Sequence, residues 1–249
     1  MKASGAWYAR SGSKARELYT IMHLPYTSMV LSYVLIGAAL SPSFYPNRVI
    51  LTLFAYFLGL GLSAHALNEL HSRHWGEALG KRELEILFAA PLVGAVLIGA
   101  YGILALYYVT SSLLAPLVLL AFISLETFFL FGYNTDLSRG RFHTNLSFAF
   151  SWAALPAVIS YYVNALAITI GIVLIALAVA ATAGIEINLS RWCKDFRRKG
   201  PLTEIQFADS TKLNMTTAEL IAKPEKSLKL IVLAVDLIAI GLVVHRLFP

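Results

Sequence analysis

Seven times along this chain an apolar run long enough to cross a lipid bilayer is followed by a polar break, and that repetition limits the fold more than any motif does. Hydrocarbon offers no partners to backbone N–H and C=O groups, so a spanning segment must satisfy them by itself or within a closed barrel. About twenty apolar residues, rising about 1.5 Å each, cross the hydrocarbon as a helix. Runs at 20–41, 48–67, 85–107, 112–133, 144–162, 166–187 and 227–247 meet that requirement. The two-residue alternation of a barrel strand is absent. The predicted fold is therefore all-α, a multi-pass transmembrane helical bundle of about seven spans forming one domain over residues 1–249. With 58% hydrophobic residues, 14% charged residues and a mean hydropathy of +0.69, a soluble domain is excluded. The fifth run is the shortest and least uniform, carrying Ser147, Ser151, Trp152 and Pro156.

Positive charge beside a span holds that end on the cytoplasmic side of a cell membrane. Eighteen of the twenty Lys and Arg residues fall in the N-terminal segment and in the second, fourth and sixth loops, leaving Arg48 and Arg246 opposite. The prediction is a cytoplasmic N-terminus and a C-terminus on the other side. Much of the net charge of +6 then follows from topology, and no nucleic-acid partner is needed to explain it. The same basic face suits anionic lipid headgroups or a diphosphate. The single Cys193 excludes an internal disulfide. The first segment, with Trp7, Tyr8 and Tyr19, suits a short interfacial helix ahead of the first span, which is expected to be retained.

Polar groups inside or at the ends of spans are expensive, and so point to use. AHALNELHSRHWGEALGKR, residues 64–82, ends the second run with His65, Asn68 and Glu69 at three- and four-residue spacings that share one helical face. The other reading of this stretch is a polar loop at the membrane edge. Glu126 stands among Leu and Phe in the fourth run, facing the bundle interior or a water-filled pocket, or else pairing with a basic residue of the next helix. Asp236, near the middle of the last run, either belongs to a site or locks helices together. The loop YNTDLSRGRFHTN adds Asp136, Arg139, Arg141 and His143, and guanidinium forks match phosphate geometry. An internal echo links two helix ends: Glu69 is followed by Ser72, Arg73 and Trp75, and Glu186 by Ser190, Arg191 and Trp192. If the echo is more than coincidence, it implies a pseudo-repeated bundle with a shared central site. Thr216 to Glu219 could cap a short helix before the last span.

These motifs together resemble those of the UbiA superfamily of intramembrane prenyltransferases, in which polar, acid-rich motifs follow the second and sixth helices of an all-α bundle. HLPYTSMVLSYVLIGAAL is similar to that family's first helix. AHALNELHSRHWGE resembles its first motif, with Asn68-Glu69 where the family has Asn-Asp, and GIEINLSRWCKD stands at the place of the second. Lys223-Pro224-Glu225-Lys226-Ser227-Leu228 is similar to the segment leading into the seventh span. The resemblance covers most of the chain. It implies a UbiA-like bundle that transfers a prenyl group from an isoprenoid diphosphate to a lipophilic acceptor with Mg²⁺. On this chain it implies Asn68, Glu69, Glu77 and Glu186 as metal ligands and Glu69, Glu126 and Glu186 as catalytic groups. His65, Asn68, Arg73, Arg139, Arg141, Asn188 and Arg191 would bind substrate. The motifs depart from the family's four-residue spacing of carboxylates. Four and eight residues after Glu69 come Arg73 and Glu77; after Glu186 come Ser190 and Lys194, with Asp195 out of register.

Three function classes follow: a lipid-processing enzyme, a catalytically inactive protein that binds isoprenoids or other membrane lipids, and a small transporter using Glu126 and Asp236. Carboxylates converging on one spot favour the enzyme, and a dispersed set favours the binding protein. A transporter calls for helices broken near the midplane.

Overall fold

The computed structural model describes residues 6–10, 12–72, 78–135, 137–199, 205–206 and 208–248. A short helix α1 (Lys14–Ile21) turns at Met22 and His23 into α2 (Leu24–Ala39), and the two meet at 43°. His23 takes up a left-handed φ of 43°, and Pro25 occupies the first turn of α2, where its missing N–H would have had no helical partner. There follow α3 (Pro46–His71), α4 (Lys81–Thr110), α5 (Leu114–Asn134), α6 (Asn145–Ala165) and α7 (Ile170–Lys199). A two-residue antiparallel ladder, β1 (Ile205–Gln206) against β2 (Lys212–Leu213), precedes α8 (Thr217–Leu247). Among the described residues six helices are long and apolar enough to span a membrane, and seven if the bent α1–α2 pair counts as one span.

The two largest differences from the predicted spans lie at the basic end. α7 continues beyond 187 to Lys199, and α8 starts at Thr217 instead of near 227. The capping box is present: the Thr216 hydroxyl accepts from the Glu219 amide at 3.2 Å, and the Thr216 amide donates to the Glu219 carboxylate at 2.7 Å. The helix it starts is not short, because the chain stays helical through Pro224 into the span. Arg197 of α7 and Glu225 of α8 form an ion pair at 2.8 Å that ties the two extensions together.

The spans close into a ring in sequence order, each packed on the next, with α8 returning to α2. α2 also packs across the ring on α6. At that crossing a Cβ added to Gly37 would collide with the Ala157 backbone carbonyl, so only glycine lets the two backbones approach this closely. The buried core runs along these two inner helices, from Met29, Tyr33 and Val34 to Trp152, Ala157 and Tyr162. The end opposite the basic loops is stitched to α6: the Tyr45 amide donates to Asn164 Oδ1 at 2.9 Å, and Arg48 donates to the Val163 carbonyl at 2.7 Å. At the basic end the buried Glu17 carboxylate accepts from the amides of Ala78 and Leu79 at 3.0 and 2.9 Å, pinning α1 to the loop before α4.

Two stretches widen into π-helix, Phe57–Ala64 within α3 and Phe150–Ala154 within α6. An i→i+5 turn shifts the phase of every side chain beyond it, and such turns concentrate at functional sites. Here they precede His65 and surround Trp152, whose rings lie 5.0 Å apart.

Candidate functional site

Two places combine polar groups with a cavity, one at the basic end of the bundle and one in its side wall. At the basic end the rings form a continuous chain. His23 stacks on His65 at 4.3 Å, His65 meets Trp152, and Trp152 stacks on Phe148 at 5.3 Å. Phe148 touches Tyr133 at 5.9 Å, and Tyr133 stacks on His143 at 4.4 Å. Tyr26 packs edge-on to Phe148 and donates its hydroxyl proton to Ser190. Arg191 completes the rim, donating at 3.4 Å to the Tyr133 hydroxyl and to the His143 carbonyl.

Glu186 lies beneath this layer, buried, with Oε1 lacking a hydrogen-bond partner among the described residues. It borders a cavity of about 20 Å³ with Tyr8, Tyr26, Ser190, Cys193 and Arg197. That is room for about one water molecule. Burial raises the Tyr8 phenol well above its ordinary range, the nearby Glu186 adds to the shift, and Arg197 opposes it. Tyr8 therefore remains a proton donor at neutral pH. Deeper in the bundle, Ser32 donates to Asp236 at 2.8 Å, which makes Asp236 a link between α2 and α8.

Of the residues singled out from sequence, Glu69 and His65 are buried at the end of α3 and Asn68 is half-buried. Arg139 and Arg141 are exposed beyond α5, and Asn188 on α7 is held by Asn145 at 2.5 Å and by its own helix at 2.7 Å. Arg73, Glu77 and Asp136 lie outside the described residues. The two echoed helix ends do not pack broadly on each other: Tyr26, Phe148 and Trp152 stand between them, and Glu69 borders neither that small cavity nor the groove in the side wall. Glu126 is remote from both ends and takes its partner from Tyr56 rather than from a basic residue. Among the described residues no three His, Cys, Asp or Glu side chains come together as a metal would require. The described residues of this end do not by themselves form a Mg²⁺ ligand set.

The second place is a groove of about 340 Å³ between α3, α4 and α5, backed by Ile159 and Val163 of α6. Leu, Ile, Val and Ala make most of its wall, and it opens sideways past Val96, Tyr101 and Val109, which are exposed on the apolar outer surface. Gly99 keeps its floor low, since a Cβ there would lie 2.9 Å from Ile123. In the wall, Tyr56 donates to Glu126 Oε1 at 2.7 Å while Oε2 has no partner among the described residues. Arg48 stands at the end of the groove, occupied by the Val163 carbonyl and by the face of Tyr45 at 4.3 Å.

No family profile, no curated protein and no solved structure matches this chain.

Sequence reasoning did not find Tyr56, His23 or Tyr26, because nothing local distinguishes them from interfacial or packing aromatics. Trp152 did carry a signal. It sits in the least apolar span with serines and a proline, which is how an inner helix reads when its neighbours are side chains instead of lipid.

Proposed function

We propose that the protein is a UbiA-like membrane protein that binds an isoprenoid or comparable lipid chain within the bilayer. The lateral groove carries this reading. Its volume of about 340 Å³, its apolar lining and its opening toward lipid suit a chain that enters sideways from the membrane. The acids of the bundle are dispersed, Glu126 in the groove wall, Glu186 at the small cavity and Glu69 at neither, which favours binding over metal-assisted transfer. α3 and α6 run unbroken through their π-helical stretches, which disfavours a transporter. The basic loops would face the cytoplasm of a cell membrane with the N-terminus on the same side, and no nucleic-acid partner is called for.

Mass spectrometry of lipids co-purifying with the protein tests the reading. Chain lipids should be retained by the native protein and reduced about tenfold or more by Ala105→Phe, which fills the groove from its α4 side. Equal lipid content in the two proteins overturns it. Prenyl transfer is the second reading, favoured by one observation: the buried Glu69 and Glu186 lie at the end of the bundle that also holds Arg139, Arg141 and Arg191. In that case an isoprenoid diphosphate should bind in a way that EDTA and Glu69→Gln each abolish, Mg²⁺ offsetting the mutual repulsion of ligand and carboxylates.

A further inference from the structure

The groove wall holds a feature that a purely hydrocarbon ligand would leave unsatisfied. Glu126 faces the groove about midway along α5, with Oε1 held by Tyr56 at 2.7 Å and Oε2 lacking any hydrogen-bond partner among the described residues. Lipid tails supply no partner either, and a buried polar oxygen left bare is costly. Elsewhere in the wall the Thr52 and Thr127 hydroxyls donate to carbonyls of their own helices at 2.8 Å and Arg48 is held by Val163, so this pair is a place where the groove can tell one apolar chain from another.

Resting on the lipid-binding reading above, we propose that the groove selects a neutral lipid alcohol, with the hydroxyl seated between Tyr56 and Glu126 and the chain along α4. A hydroxyl is both donor and acceptor. It can donate to Oε2 of an ionised carboxyl or accept from a protonated one, and it can also donate to a lone pair of the Tyr56 oxygen, whose own proton is engaged by Oε1. An ether or a carbonyl can only accept. A phosphate or diphosphate would bring charge into a low-dielectric groove where Arg48 is already engaged by Val163 and Tyr45, and beside an ionised Glu126 it would also be repelled. Because Oε2 is covered by its surroundings, the carboxyl turns about its terminal torsion to meet the ligand. That torsion is broad and soft in glutamate.

The test measures dissociation constants of the full chain in lipid nanodiscs for geranylgeraniol, its methyl ether, the saturated hydrocarbon phytane and geranylgeranyl diphosphate. The native protein should bind the alcohol about tenfold more tightly than the hydrocarbon, with the ether between them and the diphosphate weakest. Glu126→Leu should bring alcohol and hydrocarbon to the same affinity. Tyr56→Phe, an isosteric change that keeps the wall intact, should narrow the gap as a second variant. Equal affinities for alcohol and hydrocarbon in the native protein overturn this proposal while leaving a lipid groove in place. Tightest binding of the diphosphate overturns it as well. If none of the four binds, or if Ala105→Phe leaves all four affinities unchanged, the groove reading itself has failed.

Discussion

α6 and α4 both cross the bundle, yet they meet opposite surroundings. The most apolar window of α6 has a mean hydropathy of 1.4 and is 72% buried; that of α4 has 2.2 and is 0% buried. The less apolar helix is the inner one. In a bilayer, lipid tails are as apolar as leucine, so hydropathy alone does not drive a helix inward, and inner positions are set by close packing and polar pairing. α6 supplies both: Ala157 lies under Gly37, Asn164 accepts from the Tyr45 amide, and Trp152 stacks among Phe148 and His65. α4 instead turns Leu97, Tyr101 and Leu104 toward the surrounding membrane.

This contrast can be broken most severely at the crossing of the inner helices. Gly37→Leu forces α2 off the Ala157 backbone, and overpacking of this kind should cost about 3 kcal/mol or more. Denaturation by SDS titration in mixed micelles should show most of the variant unfolded where the native chain is folded. Native-like stability would mean that α2 and α6 do not cross as described.

A smaller effect is expected one layer away, at Trp152→Ala. Part of the usual cost of a large-to-small core change is the loss of transfer from water, and that part vanishes when the alternative surroundings are lipid. Lost dispersion and stacking remain, at about 2 kcal/mol. The same titration measures it, and near-UV circular dichroism should lose the signal of a fixed indole.

The smallest effect belongs to the outer helix. Leu97 is 64% exposed. Leu97→Ala exchanges one lipid-contacting side chain for another, and the stability should stay within about 0.5 kcal/mol of the native value. A loss as large as that of Trp152→Ala would show that α4 is covered by protein, and the inner–outer contrast would fall.

That the chain holds six or seven bilayer-length apolar helices was legible in the sequence, because bilayer thickness imposes a length and a nearly charge-free run of that length seldom occurs outside a membrane. The cap at Thr216 and Glu219 was legible too, but the continuity of α8 from that cap into the span was not. Its polar turns from Thr217 to Lys226 continue a helix outside the apolar run, where hydropathy carries no signal and the Arg197–Glu225 pair does the joining. Within the candidate sites, the acids stood out individually. Their partners did not, since Tyr56 and Glu126 are seventy residues apart and Ser32 and Asp236 two hundred and four.

Composition and spacing by themselves determined that this is a multi-pass α-helical membrane protein with one strongly basic end, and that Glu69, Glu126, Glu186 and Asp236 are costly residues in need of partners. Only the tertiary structure decided which helices are inner, that His65 and Trp152 meet at two π-helical stretches, and that Glu126 pairs with Tyr56 in a groove open to lipid. The reason is physical. Burial of a span in the membrane depends on its own residues, whereas its position in the bundle depends on close approach to another helix, and that information is divided between two distant stretches of chain.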